Sequence, residues 1–168
     1  MSADWDVTAL LGGMARDLRP HVDPEQAGMI GIFTGGVWLA RALHGALGLQ
    51  QPLGQVDISF YRDDFSQIGL HPEVRASAIP FDVDGRDIIL VDDVLYTGRT
   101  IRAAMNEIFD YGRPARIILA VLVDRGGHEL PIAADIAALR LNATAGEHIK
   151  LRGPDPLRLE LEVRGPQP

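Results

Sequence analysis

Two adjacent carboxylates, followed closely by a turn rich in hydroxyl groups, are the residues of this chain best suited to chemistry. In the stretch IILVDDVLYTGRT, Asp92 and Asp93 end an unbroken apolar run, and the turn TGRT comes shortly after them. A turn that leads directly into a helix presents free backbone N–H groups and the positive end of the helix dipole, which suit a phosphate. Gly98 lets the backbone approach such a ligand, and the hydroxyls of Thr97 and Thr100 can donate further hydrogen bonds.

The two carboxylates need a different partner, because like charges repel at hydrogen-bond distance. Vicinal hydroxyls of a ribose are good donors to a carboxylate, and a magnesium ion is another acceptable neighbour. A plain strand end and a helix cap explain any one of these residues. Neither a strand end nor a helix cap requires two adjacent acids, whose desolvation and mutual repulsion are costly. The whole run therefore predicts a cradle for a ribose 5-phosphate.

The elements that must position this run alternate between strands and helices. In chain order, the sequence predicts a helix over residues 7–18, a strand at MIGIF, a helix from Val37 to near Gly48, strands at GQVDISFYR and DIILVDDV, a helix over roughly residues 100–111, and a strand at RIILAVLVD. This alternation predicts an α/β fold with a doubly wound, mainly parallel sheet flanked by helices. In such sheets ligands bind at the carboxyl ends of the strands, where the acid pair lies.

Two segments are predicted to lack regular structure. Residues 63–85 are long, polar and punctuated by prolines, and loops of this kind are often functional. The tail from Gly153 is rich in proline and glycine and is expected to fray at its end. Because the chain has no internal repeat and no low-complexity linker, we expect residues 1–168 to form a single domain.

The composition excludes several classes of function. The 168 residues include 46% hydrophobic and 23% charged residues, as in an ordinary globular domain. The net charge of -7 argues against a broad polyanion-binding surface, and the absence of cysteine excludes disulfides and cysteine nucleophiles. No apolar stretch approaches the roughly 20 residues that span a bilayer, and the first residues do not resemble a signal peptide. We therefore expect a cytoplasmic protein without a membrane partner.

The run IILVDDVLYTGRT resembles, over its whole length, the phosphoribosyl pyrophosphate (PRPP) signature of type I phosphoribosyltransferases. Four other segments resemble, in order and spacing, the PyrR family of pyrimidine operon regulators that are also uracil phosphoribosyltransferases: DISFYRDD, IPFDV, TIRAAMNEIFDYGRPARI and LAVLVDRGGHELPI. This resemblance covers about residues 31–135. It implies a type I phosphoribosyltransferase-like fold and the formation of UMP and pyrophosphate from uracil and PRPP. It also implies that magnesium binds mainly through PRPP, without a dedicated protein site.

The resemblance implies a role for each part of the site. The residues implied to bind PRPP are Thr34, Gly35 and Gly36 in the pyrophosphate loop, Asp92 and Asp93 at the ribose hydroxyls, Thr97, Gly98, Arg99 and Thr100 at the 5-phosphate, and Val94, Leu95 and Tyr96 between the acids and that turn. Simple packing is the alternative for Tyr96. The residues implied to contact uracil, largely through backbone groups, are Val123, Asp124 and Arg125. A flexible hood that closes during reaction is implied to begin at residues 61–64. Arg62 joins the two acids as an expected catalytic residue, because its guanidinium suits a bidentate contact with pyrophosphate. A solvated arginine at a strand end is the alternative.

Three departures from the family pattern bear on function. Many members have Thr-Arg-Gly in the pyrophosphate loop, so this chain lacks one cation at Gly35. The segment DRGGHELP replaces DRGHRELP, and we expect His128 to be a surface histidine rather than a catalytic base. Residues 138–147 replace a segment rich in RNA-binding groups and retain Arg140 as their only cation. RNA is therefore a possible but disfavoured partner.

Three functions remain open at this point. The chain is an enzyme that makes UMP, or a weakly catalytic or inactive UMP and PRPP sensor, or a regulator that acts through RNA or a protein partner. The expected ligands are PRPP, uracil, UMP and UTP, and the resemblance implies a homodimer or a higher homo-oligomer. If the missing cation limits the enzyme, Gly35→Arg should raise kcat/KM for PRPP roughly tenfold, provided that the backbone tolerates a side chain.

Overall fold

Five parallel strands form the central sheet. The computed structural model describes residues 4–58 and 77–165. The strands are β1 Gly28–Ile32, β2 Gly54–Val56, β3 Asp87–Leu95, β4 Arg116–Asp124 and β5 Ile136–Arg140. They lie in the order β2-β1-β3-β4-β5, so the winding direction reverses between β1 and β3. A crevice opens beyond the carboxyl ends of two strands at such a reversal, and this is where ligands bind in doubly wound sheets.

Helices cover both faces of the sheet, as predicted. They are α1 Val7–Leu18, α2 Gly35–Leu47 and α3 Arg99–Tyr111. Neighbouring residues of β3 point to opposite faces, because side chains alternate along a strand. Ile89 joins the buried cluster with α1 and α2, and Leu90 joins the cluster with α3. Since both faces are buried, residues 88–91 of the strand are all apolar before it reaches Asp92.

An antiparallel hairpin follows the parallel sheet. Strand β6 Glu147–Arg152 pairs with β7 Arg158–Val163, and neither strand was predicted from the sequence. The sequence RLELEV alternates apolar and charged residues, and Leu159 packs in the same buried cluster as Ile149. Pro154 and Pro156 lie in the turn between the strands, where they do not interrupt the hydrogen-bonded ladder.

Two element boundaries differ from the predicted ones in ways that matter for the cleft. Helix α2 begins at Gly35 rather than Val37, and the carbonyl oxygen of Thr34 accepts the N–H groups of Val37 and Trp38 at 3.2 and 3.4 Å. Strand β3 continues to Leu95, one residue beyond the predicted end, so the acid pair lies within the strand and not at its last residues. The acids are therefore held more rigidly than residues of a loop.

Several expectations concern residues outside those that the structure describes. The structure does not describe Arg62, the hood expected to begin at residues 61–64, or residues 63–76 of the long predicted loop. In the described remainder of that loop, Ala78 forms an isolated antiparallel bridge with Gln55. Within residues 4–58 and 77–165, no helix combines the length and the apolar character needed to cross a membrane.

Candidate active site

A cleft of about 520 Å³ lies at the carboxyl ends of β1 and β3. The residues predicted from the sequence that line it are Thr34, Gly35, Asp92, Asp93, Val94, Tyr96, Thr100 and Arg125. The predicted residues that lie outside its lining are Gly36, Leu95, Thr97, Gly98, Arg99, Val123 and Asp124. The fold thus brings together parts of the chain that are up to 91 positions apart, from Thr34 to Arg125.

Two glycines allow the first turn of α2 to lie directly against β3. A Cβ atom at Gly36 would be 2.5 Å from the carbonyl oxygen of Val91 and 3.1 Å from Cα of Asp92. A Cβ atom at Gly35 would overlap the Asp93 carboxylate and lie 3.0 Å from its Cγ atom. Gly35 is not among the glycines with positive φ, so the obstacle to Gly35→Arg is the Asp93 side chain, which must move to admit a Cβ atom. Glycine here places a helix N-terminus beside an acid pair.

The acid pair is oriented by its own backbone. Asp92 is only 2% exposed, whereas Asp93 is partly exposed to the cleft. Asp92 Oδ1 accepts the N–H of Asp93 at 2.8 Å, and Asp93 Oδ1 accepts the N–H of Val94 at the same distance. Each carboxylate is thereby fixed through one oxygen, which reduces the entropy lost when it binds a ligand.

The turn before α3 is supported by the segment that follows β4. Gly98 adopts a left-handed conformation with φ of 97°. Thr97 Oγ1 accepts the N–H of Arg99 at 3.2 Å, and the Thr97 carbonyl oxygen accepts the N–H groups of Glu129 and Leu130 at 2.9 and 3.1 Å. The Arg99 guanidinium donates to the Glu129 carboxylate at 2.7 Å. The result is a fixed turn at a helix N-terminus, the arrangement that suits an anion.

Arg125 joins this turn to the hairpin. Its side chain is buried, and its Cζ atom lies 3.9 Å from the centre of the Tyr96 ring. The guanidinium donates to the carbonyl oxygens of Glu147 at 2.8 Å and Thr144 at 3.0 Å. Among the described residues, Arg125 Nε has no hydrogen-bond partner. A buried donor without a partner is costly, and in a cleft it is suited to a ligand.

The residue before Arg125 serves a different purpose. The Asp124 carboxylate is buried and accepts the N–H of Gly126 at 3.0 Å and Nη1 of Arg140 at 3.0 Å. His128 Nε2 lies 2.8 Å from Asp124 Oδ1, and His128 is an exposed residue, which fits the expected surface histidine. Val123 is buried within β4. These contacts hold the loop after β4 together, outside the lining of the cleft.

The hairpin supplies a cationic wall that the sequence pattern did not predict. Lys150 and Arg152 of β6 and Arg164 after β7 line the cleft with His148. Burial lowers the pKa of His148, and the positive charges of Arg164, Arg125 and Lys150 lower it further. The alternation in HIKLR was the available signal, because a strand places its first, third and fifth residues on one face.

Magnesium would have few protein ligands here. Within the described part of the chain, no three His, Cys, Asp or Glu side chains are grouped closely enough to hold a metal ion. Asp92 and Asp93 form a pair and not a complete site. This donor set fits an ion that arrives with a polyphosphate, and magnesium binding through PRPP stays a prediction.

The reversal crevice, the acid pair and the turn at a helix N-terminus together define the phosphoribosyltransferase class. A family model described as phosphoribosyl transferase domain matches residues 7–150. The structure is similar to a purine phosphoribosyltransferase from Pyrococcus horikoshii, with a TM-score of 0.62 and 26% identity over 80% of this chain and 81% of that chain. It is also similar to a hypoxanthine-guanine phosphoribosyltransferase from Bacillus anthracis, with a TM-score of 0.68 and 14% identity over 94% and 92% of the two chains.

Relatives with higher identity narrow this class. The chain is 54% identical over 160 residues to the Bifunctional protein PyrR of Pseudomonas paraeruginosa, and the match covers 94% of each chain. It is 55% identical over 157 residues to the Bifunctional protein PyrR of Pseudomonas aeruginosa, with 92% of each chain covered. The chain belongs to the PyrR family of phosphoribosyltransferases, which confirms the resemblance found in its sequence.

Proposed function

We propose that this protein is a uracil phosphoribosyltransferase that forms UMP and pyrophosphate from uracil and PRPP, and that it also senses nucleotides to regulate pyrimidine biosynthesis. The observation that carries the proposal is one cleft lined by the acid pair, the start of α2, Arg125, and Thr100 of the turn before α3. Membership of the PyrR family supports uracil as the base.

In the proposed reaction, the bond between C1 of the ribose and pyrophosphate breaks while a bond to a uracil nitrogen forms. The transition state resembles an oxocarbenium ion, so the site must stabilise the departing pyrophosphate and exclude water. Asp92 and Asp93 accept hydrogen bonds from the ribose hydroxyls, and residues 97–100 hold the 5-phosphate. Magnesium supplies positive charge to the pyrophosphate that it accompanies. Arg62 remains a proposed contributor to the same charge.

Arg125 is the residue that we assign to uracil. Its backbone N–H already donates to the carbonyl oxygen of Leu95 at 3.1 Å, and its own carbonyl oxygen accepts the N–H of Ala143 at 3.0 Å. The side-chain Nε is buried and lacks a partner among the described residues. A change of rotamer that turns Nε towards the cleft would let a uracil carbonyl oxygen satisfy this donor, and the side chain would then take over part of the role that the sequence assigned to the backbone.

The test is steady-state turnover with uracil, PRPP and magnesium, combined with calorimetry of PRPP binding to the double variant Asp92→Asn, Asp93→Asn. Neutral amides hold hydroxyl groups less strongly than carboxylates do, so PRPP affinity should fall about tenfold or more. The asparagine Oδ1 atoms can still accept the backbone N–H groups of residues 93 and 94, and the fold should persist. Asp110→Asn on the exposed side of α3 is the control. Unchanged PRPP affinity in the double variant would contradict the ribose role.

The proposal includes one domain over residues 1–168, a homodimer or a higher homo-oligomer, and a cytoplasmic location, which the absence of cysteine fits. It does not include tight RNA binding. Arg140, the only cation of residues 138–147, forms an ion pair with buried Asp124 at 3.0 Å. RNA affinity measured at several salt concentrations tests this point, and tight binding with a steep salt dependence would overturn it.

A further inference from the structure

The cationic wall of the cleft lies close to the start of α2. The end of β6 packs against this helix, because a Cβ atom at Gly153 would be 3.1 Å from Cε3 of Trp38 in the first turn. Arg152, the residue before Gly153, lines the same cleft as Thr34 and Gly35. The hairpin therefore brings positive charge to the end of the cleft that the sequence assigned to pyrophosphate.

The start of α2 carries no charged side chain. A Cβ atom at Gly35 would overlap the Asp93 carboxylate, and one at Gly36 would press on the backbone of β3. A cation for a polyphosphate must come from another part of the chain while Asp93 keeps its place. Of the residues that line the cleft, the hairpin offers Lys150 and Arg152 in addition to Arg164.

The positive charges of Lys150, Arg152 and Arg164 are only partly balanced by the carboxylates that form ion pairs with them. Glu162 lies at the centre of the group, 3.3 Å from Lys150 Nζ, 2.9 Å from Arg152 Nη2 and 3.9 Å from Arg164 Nη2. Glu160 adds a second carboxylate at 3.1 Å from Arg152 Nε. Three cations against two carboxylates leave a net positive charge. Exposed ion pairs of this kind contribute little stability, so a multivalent anion can displace the carboxylates.

We propose that Lys150 and Arg152 bind the pyrophosphate group of PRPP and supply the positive charge that the Thr-Gly-Gly loop lacks. The proposal rests on the proposed function, since it names residues of the same site. The unpartnered and buried Nε of Arg125 in the same cleft independently marks this cavity as one built for a ligand. Glu162 holds the cations in place until the polyphosphate arrives.

The hairpin also offers a matched control. Arg158 is the cross-strand neighbour of Arg152, yet it lines a different groove, together with Asp4 and Trp5. Arg158→Gln therefore removes one positive charge from the same hairpin without changing the cleft. Lys150→Met and Arg152→Gln remove the proposed charges while they keep side chains of similar length.

Calorimetry with pyrophosphate, PRPP and UMP tests the proposal on the full-length protein. The variant Lys150→Met, Arg152→Gln should bind pyrophosphate and PRPP at least tenfold more weakly than the parent. Its affinity for UMP should change less than threefold, because the single phosphate of UMP belongs to the turn before α3. Arg158→Gln should bind all three ligands as the parent does. Pyrophosphate affinity within twofold of the parent, or an equal loss for UMP, would overturn the proposal.

A second variant should change affinity in the opposite direction. Glu162→Gln removes the carboxylate that competes for the cations, so we expect pyrophosphate to bind about threefold more tightly. If the ion pairs only stabilised the hairpin, this variant would bind pyrophosphate equally or more weakly, and that result would also refute the proposal. Thermal unfolding of each variant shows that it is folded before binding is compared.

These results separate the inference from the proposed function. Turnover of uracil in the parent, combined with normal pyrophosphate binding in Lys150→Met, Arg152→Gln, would refute the inference alone. Absence of turnover, combined with pyrophosphate binding that depends on both cations, would refute the enzymatic function and support the polyphosphate site.

Discussion

Replacing Arg125 with methionine should lower the free energy of unfolding by about 3 kcal/mol. The guanidinium makes two hydrogen bonds to carbonyl oxygens, and hydrogen bonds of charged groups contribute roughly 1.5–3 kcal/mol each. Its stack on Tyr96 at 3.9 Å contributes roughly 2 kcal/mol at a desolvated site. The unpaired Nε and the desolvation of the buried charge offset roughly half of this sum. Methionine retains most of the apolar contacts of the side chain.

A double-mutant cycle isolates the stack. Arg125→Met, Tyr96→Leu and the double variant, unfolded in urea, should give a coupling free energy of about 2 kcal/mol. The pair Arg86 and Phe81 is the matched control, because its Cζ atom lies 5.7 Å from the ring centre and both residues are only partly buried. Its coupling should be about 0.5 kcal/mol.

The outcome that would refute this reasoning is a coupling of about 0.5 kcal/mol or less between Arg125 and Tyr96, similar to the control. Tyr96 would then only pack in the cleft, and the turn before α3 would be independent of the hairpin. A functional measurement accompanies the cycle. Arg125→Met should raise KM for uracil about tenfold, the effect of one lost hydrogen bond of roughly 1.4 kcal/mol, and should change PRPP affinity much less.

Three further predictions follow from close packing, a buried charge and a shifted pKa. Gly36→Ala should destabilise the protein by about 2 kcal/mol in thermal unfolding because its Cβ atom meets β3, whereas Gly45→Ala, with open space around it, should stabilise it slightly. Asp124→Asn should cost about 2 kcal/mol in urea unfolding, since the buried carboxylate loses its charge interaction with Arg140. The pKa of His148 is lowered from its ordinary 6.5, so the unfolded chain binds the proton more readily. Stability should therefore fall as the pH falls from about 6.5 through the folded-state pKa, and His148→Gln should flatten this dependence.

The acid pair and the turn before α3 were predictable because their geometry is local. They lie on one continuous stretch, and an apolar strand that leads through Asp92 into the start of a helix fixes their relative positions. The doubly wound fold was predictable for the same reason, since each strand and helix carries its own period. Boundaries were less accurate: α2 begins two residues earlier than Val37, at glycines that have no helical preference of their own.

The contacts of Arg125 and the hairpin were not predictable from local pattern. Arg125 reaches Tyr96 and Glu147 from a position 29 residues after the first and 22 residues before the second. The sequence pattern did not indicate the hairpin, because its turn contains two prolines and a glycine, a composition that is also typical of a disordered tail. What fixes it is the burial of Leu159 opposite Leu151, a pairing between strands that no single segment reveals.

Gly35 supports one conclusion about PRPP binding when only the sequence is considered and another when its contacts in the structure are known. In the sequence, Gly35 occupies a position where many family members have an arginine, and the missing cation argues for weak PRPP binding. In the structure, the same glycine makes room for the Asp93 carboxylate, and an added side chain would overlap it. Gly35→Arg would therefore add a charge and disturb Asp93, the acid proposed to bind ribose, in one step, so its effect on kcat/KM could not be assigned to either change. Changes at Lys150 and Arg152 alter the charge of the cleft without touching the acid pair, and only they can decide whether the hairpin has replaced the cation of the loop.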